Sequence, residues 1–242
     1  MKLLIKVIGV IIMGLSFFSV MACSVDTGVT SKVESLLNEK YGEEFKSVKI
    51  GNRLNTGTTT LYCCNINSEE RLFEVVYNLD NADINDNYIK TMLNYDFADE
   101  FEAEMAKYDV DVACTVTSKS DDSSAETNVD MSLDEYIQKY NVKRLFVRAA
   151  VDETQINEQW CEDFIKGVID LNNKYNTKIN VIVFPMESGK FNECQKDVIA
   201  EVEPGNDWYL DYSDTKTEFV VNTENGQVNT TVTELLEGLK GE

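Results

Sequence analysis

Residues 142–184 carry the sequence VKRLFVRAAVDETQINEQWCEDFIKGVIDLNNKYNTKINVIVF. The part at 142–151 is rich in β-branched and apolar residues and predicts a strand. Residues 155–175 repeat apolar side chains at helical spacing, and residues 179–184 predict a second strand. Residues 181–184 are apolar without interruption, as in a strand covered on both faces. A strand, a long helix and a strand in this order predict a right-handed parallel crossover.

The part of the chain before this crossover predicts a hairpin, a long helix and a strand. Residues 58–65 and 71–79 are rich in β-branched and aromatic residues and are separated by a polar turn at 67–70. A helix follows from near Asn87, with apolar residues at a four-residue step: Ile89, Leu93, Phe97, Phe101 and Met105. Residues 110–116 then alternate between apolar and polar, as a half-buried strand does.

Capping boxes mark three helix starts. A Ser or Thr followed three residues later by Glu satisfies two free N–H groups at the beginning of a helix. The pairs are Ser31 with Glu34, Ser132 with Glu135, and Thr231 with Glu234. We therefore expect helices to begin directly after Ser31, Ser132 and Thr231.

A polar stretch at 118–130 divides the chain and reads as a linker or a mobile loop. We expect an α+β fold with mixed sheets and flanking helices, organised as two small subdomains. The N-terminal α+β subdomain is assigned to residues 31–120 and the C-terminal α/β subdomain to residues 131–242, with the loop or linker at 121–130. The second subdomain contains the β-α-β crossover.

The N-terminus has the organisation of a secretory signal peptide. Lys2 and Lys6 precede an uncharged run of 16 residues, 7–22, which is followed by polar residues. A helix needs about 20 apolar residues to span a bilayer, so a cleaved signal at 1–22 fits this length better than a permanent span. An uncleaved helical anchor is the alternative, and both place the globular part outside the cytoplasm.

The four residues Val20, Met21, Ala22 and Cys23 end this segment. They resemble the lipobox of bacterial lipoproteins, in which an aliphatic residue lies three positions before a cysteine and a small residue directly before it. The resemblance implies that Cys23 receives a diacylglyceryl group, becomes the new N-terminus and is followed by a lipidated tether at 23–30. Two acyl chains hold a protein stably in a membrane. We expect a lipid-anchored protein on the extracytoplasmic face of the cell membrane.

The charge of the chain is strongly negative and excludes one class of partner. Removing residues 1–22 takes away Lys2 and Lys6 and changes the formal net charge from −21 to −23. Such a charge is repelled by the phosphates of nucleic acids and by anionic lipid headgroups. A hydrophobic content of 43% still allows a buried core, so we expect a folded protein with no nucleic-acid partner.

The composition also excludes several kinds of catalytic and metal site. The chain has no histidine, which rules out Ser-His-Asp triads, Cys-His pairs and histidine zinc sites. No Cys-x-x-Cys motif is present, so a thioredoxin-like redox centre is unsupported. Besides Cys23 there are five cysteines, an odd number that cannot all pair within one chain. Small buried side chains are their expected role, and a single disulfide remains the alternative.

Asp83, Asn85 and Asn87 match the first three ligand positions of an EF-hand calcium loop. The match then fails, because Tyr88 replaces the glycine that the loop needs and Asn94 replaces the closing glutamate. A weak calcium site and a plain turn before the helix are the two interpretations.

Trp208, Tyr209 and Tyr212 lie among aspartates and form a candidate ligand site. Aromatic rings beside carboxylates could stack on sugar rings and bind their hydroxyls. Because Trp208 and Tyr212 share one face of a predicted strand, packing against a core is the alternative.

The anchor and the missing catalytic groups favour a non-enzymatic lipoprotein that binds a ligand or an interaction partner near the membrane, without a cofactor. An envelope protein or a glycan is the expected partner. The alternative is a carbohydrate-binding lipoprotein or an extracellular hydrolase that uses carboxylates. A third hypothesis is a component of an envelope transporter or assembly.

Overall fold

Two sheets and their flanking helices make up the structure, a computed structural model that describes residues 27–51, 57–194 and 218–241. In chain order the elements are α1 (Thr27–Tyr41), β1 (Phe45–Ile50), β2 (Thr58–Asn65), β3 (Ser68–Asn78), β4 (Asp83–Asp86), α2 (Tyr88–Ala106), β5 (Ala113–Lys119), α3 (Leu133–Lys139), β6 (Arg144–Asp152), a 3₁₀ turn (Glu153–Gln155), α4 (Glu158–Tyr175), β7 (Lys178–Met186), β8 (Phe219–Glu224), β9 (Gln227–Val228) and α5 (Val232–Lys240). The predicted α+β class with two sheets is confirmed.

The first sheet has the strand order β1-β2-β3-β4, and every neighbouring pair is antiparallel. The hairpin of β2 and β3 was predicted from its β-branched and aromatic residues. β4 pairs with only the last part of β3, Val75 to Asn78. The first half of β3 therefore has no partner from β4 along that edge.

The second sheet has the order β5-β6-β7-β8-β9. β6 and β7 are parallel and are joined by α4, which confirms the predicted crossover. β5 pairs antiparallel with β6 and has no second strand neighbour among the residues that the structure describes. β5 is thus an edge strand in this part of the chain.

Helix α2 links the cores of the two sheets. All five residues of its predicted apolar stripe are buried. Phe101 on this helix packs edge to face on Phe164 of α4, with ring centroids 6.4 Å apart. One continuous cluster of buried side chains extends from Val33 in α1 to Leu239 in α5. Both sheets therefore share one main hydrophobic core, and a smaller separate cluster contains Ala113, Ala150, Phe184, Met186, Phe191 and Cys194.

Two of the three predicted helix starts are confirmed. Ser132 and Thr231 are N-caps with complete capping boxes. The prediction at Ser31 was wrong, because α1 already begins at Thr27 and Ser31 lies within it. Val29 packs on the core and Thr30 is buried, so the apolar face extends one turn further than the capping motif indicated. The first described helix therefore begins within the predicted tether, which was assigned to residues 23–30.

The strand predicted at 110–116 is shifted toward the C-terminus, because β5 is Ala113–Lys119. Val110 and Val112 are buried but precede the strand, since the chain is still turning away from the end of α2: the Val110 N–H bonds to the Met105 carbonyl. Cys114 and Val116 keep the predicted alternation and face the core.

The polar residues after β5 form an irregular but well-bonded segment. Glu126 is buried, and its carboxylate accepts hydrogen bonds from Lys139 Nζ at 2.5 Å and Tyr140 Oη at 2.6 Å. Lys40 of α1 donates from Nζ to the Ser124 carbonyl at 2.7 Å and to Asp86 at 2.8 Å. These bonds connect the segment to α3 and to α1, whose Lys40 also bonds to Asp86 of β4.

All five cysteines of the described residues are buried: Cys63, Cys64, Cys114, Cys161 and Cys194. Their expected role as small core side chains is confirmed, and no disulfide forms among them. Within the described ranges, no helix combines the length and the hydropathy that a bilayer crossing requires.

Candidate functional site

A cleft of about 650 Å³ lies where α2 runs between the two sheets. Its lining comes from four elements and the residue before one of them: Glu70–Glu74 of β3, one face of α2 with Asn87 before it, residues 114–117 of β5, and Arg148 of β6. This volume is typical of sites that bind small molecules or short peptides. The cleft is therefore the candidate site in the described part of the chain.

The floor of the cleft is a face of α2 outside its buried apolar stripe. Thr91, Asn94, Ala98 and Glu102 follow one another at steps of three or four residues and line the cleft. Residues at these steps lie on one side of a helix. The apolar stripe turns toward the core, so this mixed polar face is presented to the cleft.

The two walls are strand edges. Five consecutive residues of β3 and four of β5 line the cleft. Consecutive strand residues point to opposite faces of a sheet, so a cavity over one face would contact only every second residue. The cleft must therefore reach both strands at their edges, where backbone N–H and C=O groups are presented.

Side chains from the floor bond to some of these backbone groups. Glu102 Oε1 accepts a hydrogen bond from the Cys114 N–H at 2.8 Å. Tyr95 Oη donates to the Leu72 carbonyl at 3.3 Å. Because buried backbone groups need partners, these contacts do in part what a neighbouring strand would do.

Charged groups of both signs line the cleft, with an acidic excess. Four of the lining residues are acidic and three are basic: Glu70, Glu74, Asp99 and Glu102 against Arg71, Lys90 and Arg148. Arg71 is held by Asp99 at 2.5 Å and by Asp96 at 2.7 Å. Burial raises the pKa of the Glu102 carboxyl above its ordinary value, while the bond from the Cys114 N–H acts in the opposite direction. The lining thus has one more acidic than basic residue, and its carboxylates can accept hydrogen bonds from a ligand.

The chemistry of the lining is suited to binding. Burial raises the pKa of the Cys114 thiol well above its ordinary value, so this residue is not a thiolate nucleophile at neutral pH. Backbone edges, hydroxyls and one desolvated carboxylate can instead orient a ligand by hydrogen bonds.

The predicted calcium residues lie near this cleft but do not form a calcium loop. Asp83 and Asn85 are exposed on the extended strand β4, whereas an EF-hand loop turns tightly around the ion. Asn87 Oδ1 accepts from the Glu74 N–H at 2.9 Å. In the ranges that the structure covers, no group of three or more Cys, Asp or Glu side chains is placed to hold a metal ion. The calcium site stays a prediction that this backbone does not favour.

Two other predicted sites lie outside the described residues. These are the lipidation residue Cys23 and the aromatic group of Trp208, Tyr209 and Tyr212. Both stay predictions from sequence.

The cleft was not predicted from the sequence, because its residues share no motif and come together only when two sheets meet at α2. Glu102 offered the one weak signal, as a carboxylate directly beside the apolar position Phe101.

No family model matches the chain, and neither does any curated protein. Among solved structures, its fold is similar to the crystal structure of a DUF5037 family protein from Ruminococcus gnavus ATCC 29149. The TM-score is 0.60 at 17% sequence identity, and the match covers 88% of this chain and 100% of that chain. At this identity, the similarity concerns the fold alone.

Proposed function

We propose that the protein is a lipoprotein, anchored through Cys23 on the outer face of the cell membrane, that binds a ligand in the cleft between its two sheets without transforming it. The observation that carries the binding role is the cleft itself, where two strand edges and the polar face of α2 surround a volume of about 650 Å³. The anchor is supported by the lipobox resemblance at Val20–Cys23.

The short connection to the anchor supports a role close to the membrane. Between Cys23 and the start of α1 at Thr27 the chain has four residue steps, which reach about 14 Å when fully extended. The body is therefore held against the bilayer, and the ligand is one that is found at the membrane surface or is presented by another envelope protein.

Metabolic labelling tests the anchor. Cells that express the full chain are grown with radioactive palmitate, and the Cys23→Ser variant is the control. The wild-type protein should carry label and fractionate with membranes, whereas the variant should carry none. An unlabelled wild-type protein, or one found in the cytosol, would contradict the anchor.

Site-specific photo-crosslinking in intact cells tests the cleft. A photoreactive amino acid is placed at Thr91, which lines the cleft, and in a matched protein at Ala103, which is exposed on the same helix outside it. The proposal expects a covalent adduct of defined mass from position 91 and none from position 103. Equal adducts from both positions, or none from either, would contradict a ligand in the cleft.

A further inference from the structure

Among the described residues no strand pairs with the outer edge of β5, and this edge gives the cleft a chemical preference that its volume alone does not show. We infer that the ligand is a positively charged peptide segment in extended conformation, which adds to the second sheet as a strand along β5. The inference rests on the proposed binding function and names the class of ligand.

The hydrogen-bonding pattern of β5 defines which of its groups are available. Residues of an antiparallel strand alternate between those bonded to the neighbouring strand and those that point away from it. The Cys114 N–H points away from β6, since it donates to Glu102. By the same alternation, the N–H and C=O of Val116 also point toward the cleft, whereas Thr115 and Thr117 are bonded to β6.

β5 runs alongside α2 in the opposite direction, and its residues 114–117 line the cleft. At one end of β5, Cys114 lies beside Glu102, which is near the end of α2. Beyond the other end of β5, Asp122 interacts electrostatically with Lys90, which is in the first turns of α2. From Asn87 to Glu102 the floor is about 22 Å long at 1.5 Å per residue. An extended chain of about seven residues fits this length at 3.3 Å per residue.

An elongated site beside an unpaired edge is the geometry of strand addition, in which backbone bonds supply affinity and side-chain contacts supply preference. No strand of the described residues occupies this edge. The Glu102 carboxylate takes the place of one strand carbonyl there, which shows that the edge needs a hydrogen-bonding partner.

Charge complementarity selects among peptides. Asp99 of the lining is paired with Arg71, which leaves three acidic lining residues, Glu70, Glu74 and Glu102, against the two basic residues Lys90 and Arg148. The whole chain has a formal net charge of −21. The negative net charge of the protein would attract a peptide with Lys or Arg at alternate positions over long range. In the cleft, these basic side chains would contact carboxylates.

A peptide array tests the inference with the full-length protein in detergent. The probes are seven-residue peptides in which Lys or Arg alternates with all combinations of Val, Ile, Thr, Tyr and Phe. One matched array has every second amide N-methylated, and another has Glu in place of the basic residues. We expect binding to the first array, with about tenfold or greater loss on N-methylation and on charge reversal.

Two tryptophan variants locate the binding. Asn94→Trp fills the floor of the cleft, and Ala103→Trp places the same side chain on the exposed face of α2. Asn94→Trp should abolish array binding, and Ala103→Trp should retain it. If Asn94→Trp fails to fold, the N-methylated array still tests the backbone contacts.

Each remaining outcome overturns a defined part of the inference. Equal binding of the N-methylated peptides would exclude strand addition, and equal binding of the Glu peptides would exclude the charge preference. An array without any binder, combined with a cleft adduct at position 91 in cells, would mean that the site is real and the ligand is not a peptide. An array without a binder and cells without an adduct would remove the proposed function as well.

Discussion

Glu126 and Glu102 are two carboxylates whose surroundings shift their pKa in opposite directions. Hydrogen bonds from Lys139 and Tyr140 lower the pKa of Glu126 to about 2. Burial raises the pKa of Glu102, whose carboxylate accepts a hydrogen bond from the Cys114 N–H. The first residue bonds an irregular segment to α3, and the second bonds to the backbone of the β5 edge. Replacing these two carboxylates by amides should therefore have opposite effects on the free energy of unfolding.

Glu126→Gln should lower the free energy of unfolding at pH 7 by about 1–3 kcal/mol, because the charge-assisted bonds to Lys139 and Tyr140 are lost. The stabilisation by Glu126 is present above its unfolded pKa of 4.5 and is lost as the pH falls through about 2. Urea titrations at several pH values should show the wild type and the variant converging in acid. The exposed Glu162→Gln is the control, and an equal loss there would contradict the account.

Glu102→Gln should leave the free energy of unfolding at pH 7 unchanged or raise it by no more than about 1 kcal/mol, since the amide oxygen can still accept from Cys114. The raised pKa of Glu102 means that its ionised form opposes folding, and this cost is absent below the unfolded pKa. As the pH rises, the free energy of unfolding of the variant should increase relative to that of the wild type. In acid the two values should be equal. A clear loss of stability at pH 7 would show that the charge supports the fold.

For the individual elements, local patterns predicted most helices and strands. They did not predict which strand edges are paired or where every helix begins. The apolar stripe of α2 and the uninterrupted apolar run of β7 were sufficient to predict a helix and a covered strand. Whether β5 has a second neighbour depends on contacts between distant parts of the chain, which no local pattern records. The start of α1 was misplaced because Ser31 and Glu34 match a capping box while lying inside the helix.

Gly238 illustrates an element contact that the sequence does not reveal. It lies in α5, where a Cβ atom would overlap the ring of Phe219 on β8. Gly238→Ala should lower the free energy of unfolding by about 1–3 kcal/mol through this overlap, although alanine favours helices over glycine by about 1 kcal/mol. Denaturant titration checks the change, with the exposed Glu237→Ala as the matched control. If Gly238→Ala raised the free energy of unfolding instead, α5 and β8 would have to move apart enough to hold the added methyl group without destabilising the fold.

At the scale of the whole molecule, one core joins the two sheets, while the sequence suggested two small subdomains. The polar residues at 120–130 look like a linker in the sequence because their bonding partners, such as Lys40 and Lys139, are distant in the chain or exposed in a helix pattern. The cleft was equally hidden, because it exists only where β3, α2 and β5 meet. Composition excluded histidine chemistry and nucleic acid but could not show a cavity.

The shared core predicts cooperative unfolding. Phe101→Ala should lower the free energy of unfolding by about 3–5 kcal/mol, because Phe101 is fully buried between elements of both halves. Calorimetry should show a single transition in the wild type and in the variant, with equal calorimetric and van't Hoff enthalpies. Two separate transitions, only one of which moves in the variant, would show that the halves fold independently.

Residue-resolved amide hydrogen exchange by NMR tests the use of the cleft most directly. The full-length protein in detergent is compared with and without the tightest-binding peptide of the array. The expected result is slower exchange of the Val116 amide, which points toward the cleft, with little change at Thr115 and Thr117, which already bond to β6. Bound peptide with an unchanged Val116 amide would contradict strand addition at β5.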